Sequence, residues 1–472
     1  MKVTKMEQKD RKLHNEGYLQ RDTTEWEKYV EVSANSGITE NNHIITNFQT
    51  DMLLEKILNK DNLNRAYQRV RANKGAGGVD GLSVDELLAF LQRHQEQLLK
   101  KLREGKYKPN PVRRVEIPKE ETGKIRELGI PTVVDRVIQQ AIAQVLSPIF
   151  EKQFHSNSFG FRPSRGAHDA LKECQRLADK GYVYVVDMDL EKFFDKVCQS
   201  KLIEVLSRTI KDGRVISLIH KYLNAGVLIS GVFHKTPVGV PQGGPLSPLL
   251  SNIMLNELDK ELEKRGHVFV RYADDSMILC KSKRGAKRTL RNIIPSIEKK
   301  LYLKVNREKT QVTHIRYVRF LGYGFYRFRG KCRLIVHKKS VLKMKNKLRE
   351  RTARSNGWSN AYRIAKLREY IRGWINYFRL ADMKRLLIGI DEWLRSRIRM
   401  VYWKQWKKVK TRFTNLKRCG IDKAKAWEFA NTRKGYWRTV HSPILTRSIT
   451  NEVIARLGYL SMSDYYLKVR EN

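Results

Sequence analysis

The stretch FVRYADDSMIL, residues 269–279, sets Asp274 and Asp275 side by side between two short apolar runs. Such runs around a tight polar break read as a β-hairpin with the acids at its tip. Adjacent carboxylates repel, and a buried charge without a partner costs several kcal/mol. The tip therefore calls for a partner from another part of the chain. Asp187 and Asp189 lie in YVYVVDMDLEKFF (182–194), which begins as a buried strand, so their side chains share one face. Carboxylates brought together from two segments suit Mg²⁺, which takes hard oxygen ligands and bridges to substrate phosphates. Two such ions about 4 Å apart can activate an attacking hydroxyl and stabilise a leaving oxygen in phosphoryl or nucleotidyl transfer. Strand geometry alone does not separate Asp187 from Asp189.

Charge says what the partner is. The 472 residues carry 94 Lys+Arg against 49 Asp+Glu, a formal net charge of +45. That balance points to a polyanion. It is unevenly spread: residues 1–50 hold 7 basic and 8 acidic residues, whereas 331–472 hold 36 basic and 10 acidic, a net of +26. No apolar run approaches the ~18 residues of a membrane span, and the N-terminus has no apolar core for a signal peptide. The five cysteines form no C-x-x-C pair, which argues against a zinc site and fits a reducing, cytoplasmic setting.

Residues 1–50 read as a polar, loosely held extension. A helical pattern starts near Asp51 with Leu53, Leu54, Ile57 and Leu58, and NKGAGGVDG (73–81) breaks it. That loop lacks the G-K-[ST] of a nucleotide P-loop and reads as a flexible basic loop touching nucleic acid. An extended segment at 109–119 leads into a hairpin with Gly123 in its turn. An amphipathic helix follows with Val137, Ala141, Val145 and Ile149 on one face. VPQGGPLSP is a glycine turn feeding a helix, with Ser247 expected as N-cap, Pro248 in the first turn, and Leu250, Met254, Leu258 and Leu262 as the inward stripe. From Ser340 onward the chain reads as helical, basic and rich in Trp and Tyr.

Seven stretches, in order, carry a resemblance: IPKEETGKIRELGIPTVVDRVIQQAI, FGFRPSRGAHDAL, DLEKFFD, VPQGGPLSPLLSNIMLNELD, RYADD, LKVNREKT and RFLGYGF. Together they resemble the reverse transcriptase fingers and palm, and more narrowly the group II intron-encoded reverse transcriptase/maturase family. The match extends upstream to NLNRAYQRVRANKGAGGVDG and downstream through LREYIRGWINYF and YWKQWKK to LGYLSMSDYY. It implies a mixed α/β (α+β) right-hand polymerase. Residues 51–335 would form fingers and palm, 336–405 a helical thumb (domain X, the maturase region), and 406–472 a small basic DNA-binding region.

The resemblance also assigns roles. Asp189, five residues before Phe194, corresponds to the first metal ligand and leaves Asp187 as a bystander; Asp274 and Asp275 complete a triad for two Mg²⁺ ions. Phe194 resembles the steric gate against a ribose 2′-OH. Lys119 and Arg126 resemble the residues that hold the incoming triphosphate, and Gln242 the glutamine of the dNTP pocket. Lys309 resembles the lysine proposed to protonate departing pyrophosphate, and Leu321 and Gly322 the centre of the primer grip. After EKFFD many relatives continue with Asn-His, where this chain has KVCQSKL. No paired-cysteine endonuclease module follows, so the priming 3′-OH is expected from another source.

The expected function is RNA-directed DNA synthesis on intron RNA, together with maturase assistance to splicing. Partners would be group II intron RNA, an RNA template with DNA primer or target DNA, and dNTP, with no membrane and dimerisation left open. The alternatives are a host-recruited reverse transcriptase in defence or repair, and a non-catalytic RNA-binding splicing factor. The second should show a damaged triad or Gln-Gly-Gly turn, and both are intact here. An RNA-dependent RNA polymerase shares the chemistry, but Phe194 as gate argues against it.

Overall fold

The computed structural model describes residues 51–118 and 125–471. The proposed N-terminal extension, the turn with Gly123, and Lys119 lie outside the described residues. The chain divides into two compact units between Ile315 and Arg316.

The first unit opens with helices α1 (Leu53–Ile57), α2 (Lys60–Ala72) and α3 (Leu87–Arg103). Leu53, Leu54, Ile57 and Leu58 are buried as the pattern predicts. Asn59 separates α1 from α2 by accepting the Asp61 amide at 2.9 Å, an N-cap. The glycine loop after α2 is pinned rather than free. Arg113 donates to the Gly77 carbonyl at 3.0 Å, Arg136 to that of Ala76, and a Cβ on Gly78 would fall 2.6 Å from Thr132 Cα. Its glycines serve close backbone packing, which corrects the expectation of a flexible loop.

Strands β1 (Val112–Pro118) and β2 (Ile125–Ile130) pair antiparallel, and α4 (Val133–Glu151) follows. Thr132 caps α4. Val137, Ala141 and Ile149 are buried, while Val145 is only partly so. Next come α5 (Ala167–Asp179), β3 (Tyr184–Met188), the single turn α6 (Phe193–Lys196), α7 (Gln199–Thr209), α8 (Gly213–Leu223), β4 (Val227–Ile229) and β5 (Val232–His234). Helix α9 (Ser247–Lys264) buries its expected stripe, with Leu250, Met254, Leu258 and Leu262 at most 2% exposed. Each such burial contributes about 1.5–3 kcal/mol. Leu246, not Ser247, is the N-cap. The Ser247 hydroxyl is engaged instead by the Pro241 carbonyl at 2.5 Å, so it holds the preceding turn.

β6 (Val268–Tyr272), β7 (Asp275–Cys280), α10 (Lys283–Lys300) and β8 (Gln311–His314) complete the unit. One sheet runs β2-β1-β4-β5 and the other β6-β7-β3-β8. In the second, Val186 lies between Ile278 of β7 and Val312 of β8. That central position explains the unbroken apolar run that leads up to Asp187.

The second unit begins with the hairpin β9 (Tyr323–Phe328) and β10 (Lys331–Val336), so residues 316–335 cluster with the helices that follow. Those are α11 (Lys338–Arg351), α12 (Asn360–Phe378), α13 (Lys384–Gln405), α14 (Val409–Arg418), α15 (Lys423–Ala430), α16 (Tyr436–Val440), α17 (Pro443–Ser448), α18 (Asn451–Arg456) and α19 (Met462–Glu471). Trp374 and Phe378 of α12 are buried, Phe378 with its ring 5.0 Å from Tyr323. The aromatic face of α12 is thus core. Arg368 beside it donates to the Gly458 carbonyl at 2.8 Å. Among the described residues no helix is long and apolar enough to cross a membrane.

Candidate active site

The β6–β7 connection is a two-residue turn, with Tyr272 paired to Asp275 across it. Ala273 has φ +56, while Asp274 is not left-handed. A positive φ at the first turn position suits the right-handed twist of the strands. Asp274 and Asp275 are both exposed at the tip. Asp274 is nevertheless crowded from below, and that desolvation pushes its pKa above the usual carboxylate range. Arg126 and Arg271 oppose the shift and Asp189 adds to it, so these four groups lie within electrostatic reach of one another.

Asp189 directly follows β3. Its amide donates to the Thr310 hydroxyl at 3.2 Å, and its carbonyl accepts the Asn306 amide at 2.9 Å. The segment holding those partners also brings the Lys309 ammonium to 3.5 Å from the Asp189 carboxylate. Asp187, two residues earlier, is half-buried with Gln311 at 3.5 Å. Burial pushes its pKa up, and the negative charge of Asp189 adds to that. The acids on β3 thus have different company: an amide for Asp187, a cation for Asp189.

Phe194 lies in α6, half-buried, its ring 5.2 Å from the buried Phe193 and edge-on to it. The Phe194 carbonyl accepts the Val240 amide at 2.6 Å, and that of Gln242 accepts the Gly129 amide at 2.7 Å. Residues 240–242 therefore join the Phe194 segment to β2, the strand that carries Arg126. A Cβ on Gly243 would fall 2.4 Å from the Gly129 carbonyl, and one on Gly244 would fall 2.3 Å from Gln139 Oε1. Only bare backbone fits this turn.

Leu321 and Gly322 belong to the second unit. Phe320 and Tyr323 exchange two backbone hydrogen bonds around them, with φ +50 at Leu321 and +80 at Gly322, the conformation of a tight type I′ turn. The Leu321 carbonyl accepts Tyr377 Oη at 2.9 Å, and that of Gly322 accepts Ser340 Oγ at 2.9 Å. Both bonds lie within that unit.

Sequence reasoning missed the buried group behind the acidic turn. Arg271, 1% exposed, makes a two-pronged pair with Asp259, 0% exposed: Nε to Oδ1 at 2.8 Å and Nη2 to Oδ2 at 2.6 Å. Its Nη1 donates to Asn252 Oδ1 at 2.9 Å and to the Ala273 carbonyl at 3.0 Å. The signal was present in RYADD and NELD, but nothing in the sequence says that the two charges meet.

Among the described residues no three His, Cys, Asp or Glu side chains form a ready metal cage. Asp189, half-buried beside Lys309, and the exposed Asp274 lie within electrostatic reach of each other. That donor set fits Mg²⁺, which binds through one or two carboxylates and completes its octahedron with water and substrate phosphate.

The profile for reverse transcriptase (RNA-dependent DNA polymerase) matches residues 117–325, and that for the group II intron maturase-specific domain matches 341–420. Protein YkfC of Escherichia coli is 34% identical over 321 residues, which is 59% of this chain and 84% of that protein. The group II intron-encoded protein LtrA of Lactococcus lactis is 32% identical over 365 residues, 64% of this chain and 59% of LtrA. In a partial Cas6-RT-Cas1–Cas2 complex, a chain aligns at 27% identity with a TM-score of 0.33, covering 56% of this chain and 43% of that one, too loosely to place any element. The match over residues 117–325 defines an RNA-directed DNA polymerase of the reverse transcriptase type. The chain belongs to the group II intron-encoded reverse transcriptases, in which that polymerase is joined to an intron maturase domain.

Proposed function

We propose that the chain copies intron RNA into DNA at a site where Asp189, Asp274 and Asp275 hold two Mg²⁺ ions. The observation that carries this reading is the strand register: Met188 pairs with Ser276, so Asp189 leaves β3 beside the turn that carries Asp274 and Asp275. Bound there, the ions would lower the pKa of the primer 3′-OH and stabilise the leaving oxygen as pyrophosphate departs. The protein's own groups do the rest. Arg126 and Lys119 grip the triphosphate, for which the guanidinium fork is suited. Gln242 would contribute to the dNTP pocket from a turn whose glycines pack against Gly129 and Gln139. Phe194 excludes the ribose 2′-OH. Lys309, the counter-charge of Asp189, would give a proton to departing pyrophosphate.

Residues 51–335 serve as fingers and palm, 336–405 as thumb and maturase region, and 406–472 as the DNA-binding region, with Leu321 and Gly322 as primer grip. The partners are the intron's own RNA, template with primer or target DNA, and dNTP, in the cytoplasm.

Primer extension on an RNA template tests the reading. Asp274→Ala with Asp275→Ala should abolish extension, a loss of at least ~10³-fold, while RNA affinity stays within about twofold. Extension retained by that variant would sink the assignment, and incorporation of NTP in preference to dNTP would remove the role of Phe194.

A further inference from the structure

The acidic turn is held from behind by charges that do not face solvent. Ala273 carries a Cβ yet sits in the left-handed region, a conformation costing roughly 1–2 kcal/mol. Such a residue persists only where its surroundings over-determine it. Two linked clamps do so here.

The first is Arg271. From within β6 its side chain folds beneath the turn and donates to the Ala273 carbonyl at 3.0 Å, the peptide oxygen that links Ala273 to Asp274. The guanidinium is aimed by the Asp259 carboxylate on α9 and by Asn252, one face of α9 supplying both. Asn252 in turn donates to the Gly160 carbonyl at 2.8 Å.

The second clamp is the segment 157–160. The Arg271 amide donates to the Asn157 carbonyl, and the Phe159 amide to the Arg271 carbonyl, both at 2.9 Å. Gly160 then meets the turn itself, where a Cβ would fall 2.3 Å from the Ala273 amide nitrogen. Asn252 ties the two clamps into one network.

We infer that Arg271, oriented by Asp259 and Asn252, is a positioning residue that fixes the direction of the Asp274 carboxylate through the Ala273 peptide. The inference rests on the proposed reading of Asp274 as a metal-holding acid. Because Asp259 already neutralises Arg271, the guanidinium acts chiefly through geometry. Lysine can keep the charge but not the fork that reaches Asp259, Asn252 and Ala273 together. A misplacement of about 1 Å at a reacting centre costs up to ~10²-fold in rate.

The test compares Arg271→Lys, Asn252→Ala and the double variant Arg271→Met/Asp259→Leu with the unmodified full-length chain. The double variant removes both members of the buried pair, leaves no orphaned charge, and so keeps the fold. Primer extension is measured at saturating RNA template and DNA primer as Mg²⁺ and dNTP are varied, with amide hydrogen exchange followed across residues 268–280. The expected result for Arg271→Lys and the double variant is a fall in kcat of about tenfold or more. KM for dNTP stays within about threefold, half-saturation by Mg²⁺ moves up, exchange at the turn quickens, and template–primer binding is unchanged. Asn252→Ala moves the same way, less far. Wild-type kcat and Mg²⁺ dependence in Arg271→Lys, or a loss that only tracks the folded fraction, overturns the inference. If instead Asp274→Ala in the unmodified background still extends primers, it is the reading of the site that fails.

Discussion

The two units use their acids in opposite ways. In the helical unit, residues 316–472, Asp382 accepts Tyr326 Oη at 2.7 Å and Arg470 at 2.7 Å. Asp391 of α13 accepts the Met462 and Ser463 amides at 2.8 and 2.9 Å and the Ser463 hydroxyl at 2.7 Å, and so caps α19 from another helix. These carboxylates are enclosed by donors and join elements together. Many surface cations are left to face a polyanion. In the first unit, Asp259 is closed around Arg271 in the same manner, yet Asp274 stays exposed and Asp189 is half-buried with the Lys309 ammonium at 3.5 Å. A carboxylate surrounded by donors holds a fold, whereas two that crowd each other at a surface are poised to take a cation.

Salt gives the largest test of that contrast. Template RNA affinity of the full chain should fall about 10³-fold between 50 and 200 mM salt if roughly six or more phosphates are neutralised. Asp189→Ala should leave the slope unchanged while abolishing extension. A flat titration by filter binding would break the division between a binding unit and a chemical one.

A smaller effect sharpens the structural side. Asp391→Ala removes a buried acceptor of three close bonds and should destabilise the helical unit by about 2–3 kcal/mol. Thermal unfolding should report it, and an unchanged midpoint would mean that α19 is anchored by its apolar contacts alone.

The smallest effect concerns Asp187. Its folded-state pKa is raised, so its charged form costs stability at neutral pH, and protonation relieves that cost as pH falls. Asp187→Asn should therefore raise the neutral-pH melting temperature slightly, lose that advantage in acid, and leave primer extension near wild type. A variant as inactive as Asp189→Ala would show that both acids on β3 serve the chemistry.

Much of this was legible in the sequence because period and punctuation report local structure directly. The DD turn, the buried stripe of α9, and the strand ending at Asp187 and Asp189 each follow from residues near in the chain. Long-range company was not legible. Ser247 has the chemistry of an N-cap, but its hydroxyl is taken by Pro241, and Leu246 holds the cap position. The glycines of 73–81 look like flexibility until Thr132 and Arg136 are seen against them. Arg271 and Asp259 read as two ordinary charges twelve residues apart, and only the packing of β6 on α9 makes them a pair.

The contact of Gly129 with Gln242 and Gly243 has a consequence for how such a chain can change over time. Backbone touches backbone there, with no side chain between to absorb an error. A methyl group gained on Gly243 must push the Gly129 carbonyl away and carry the Arg126 strand with it, whereas one gained on Gly129 would meet the Val112 side chain first. The two segments, more than a hundred residues apart, are thus coupled through that one carbonyl. An engineer who wished to add a side chain at Gly243 would have to move the edge of β2 as well.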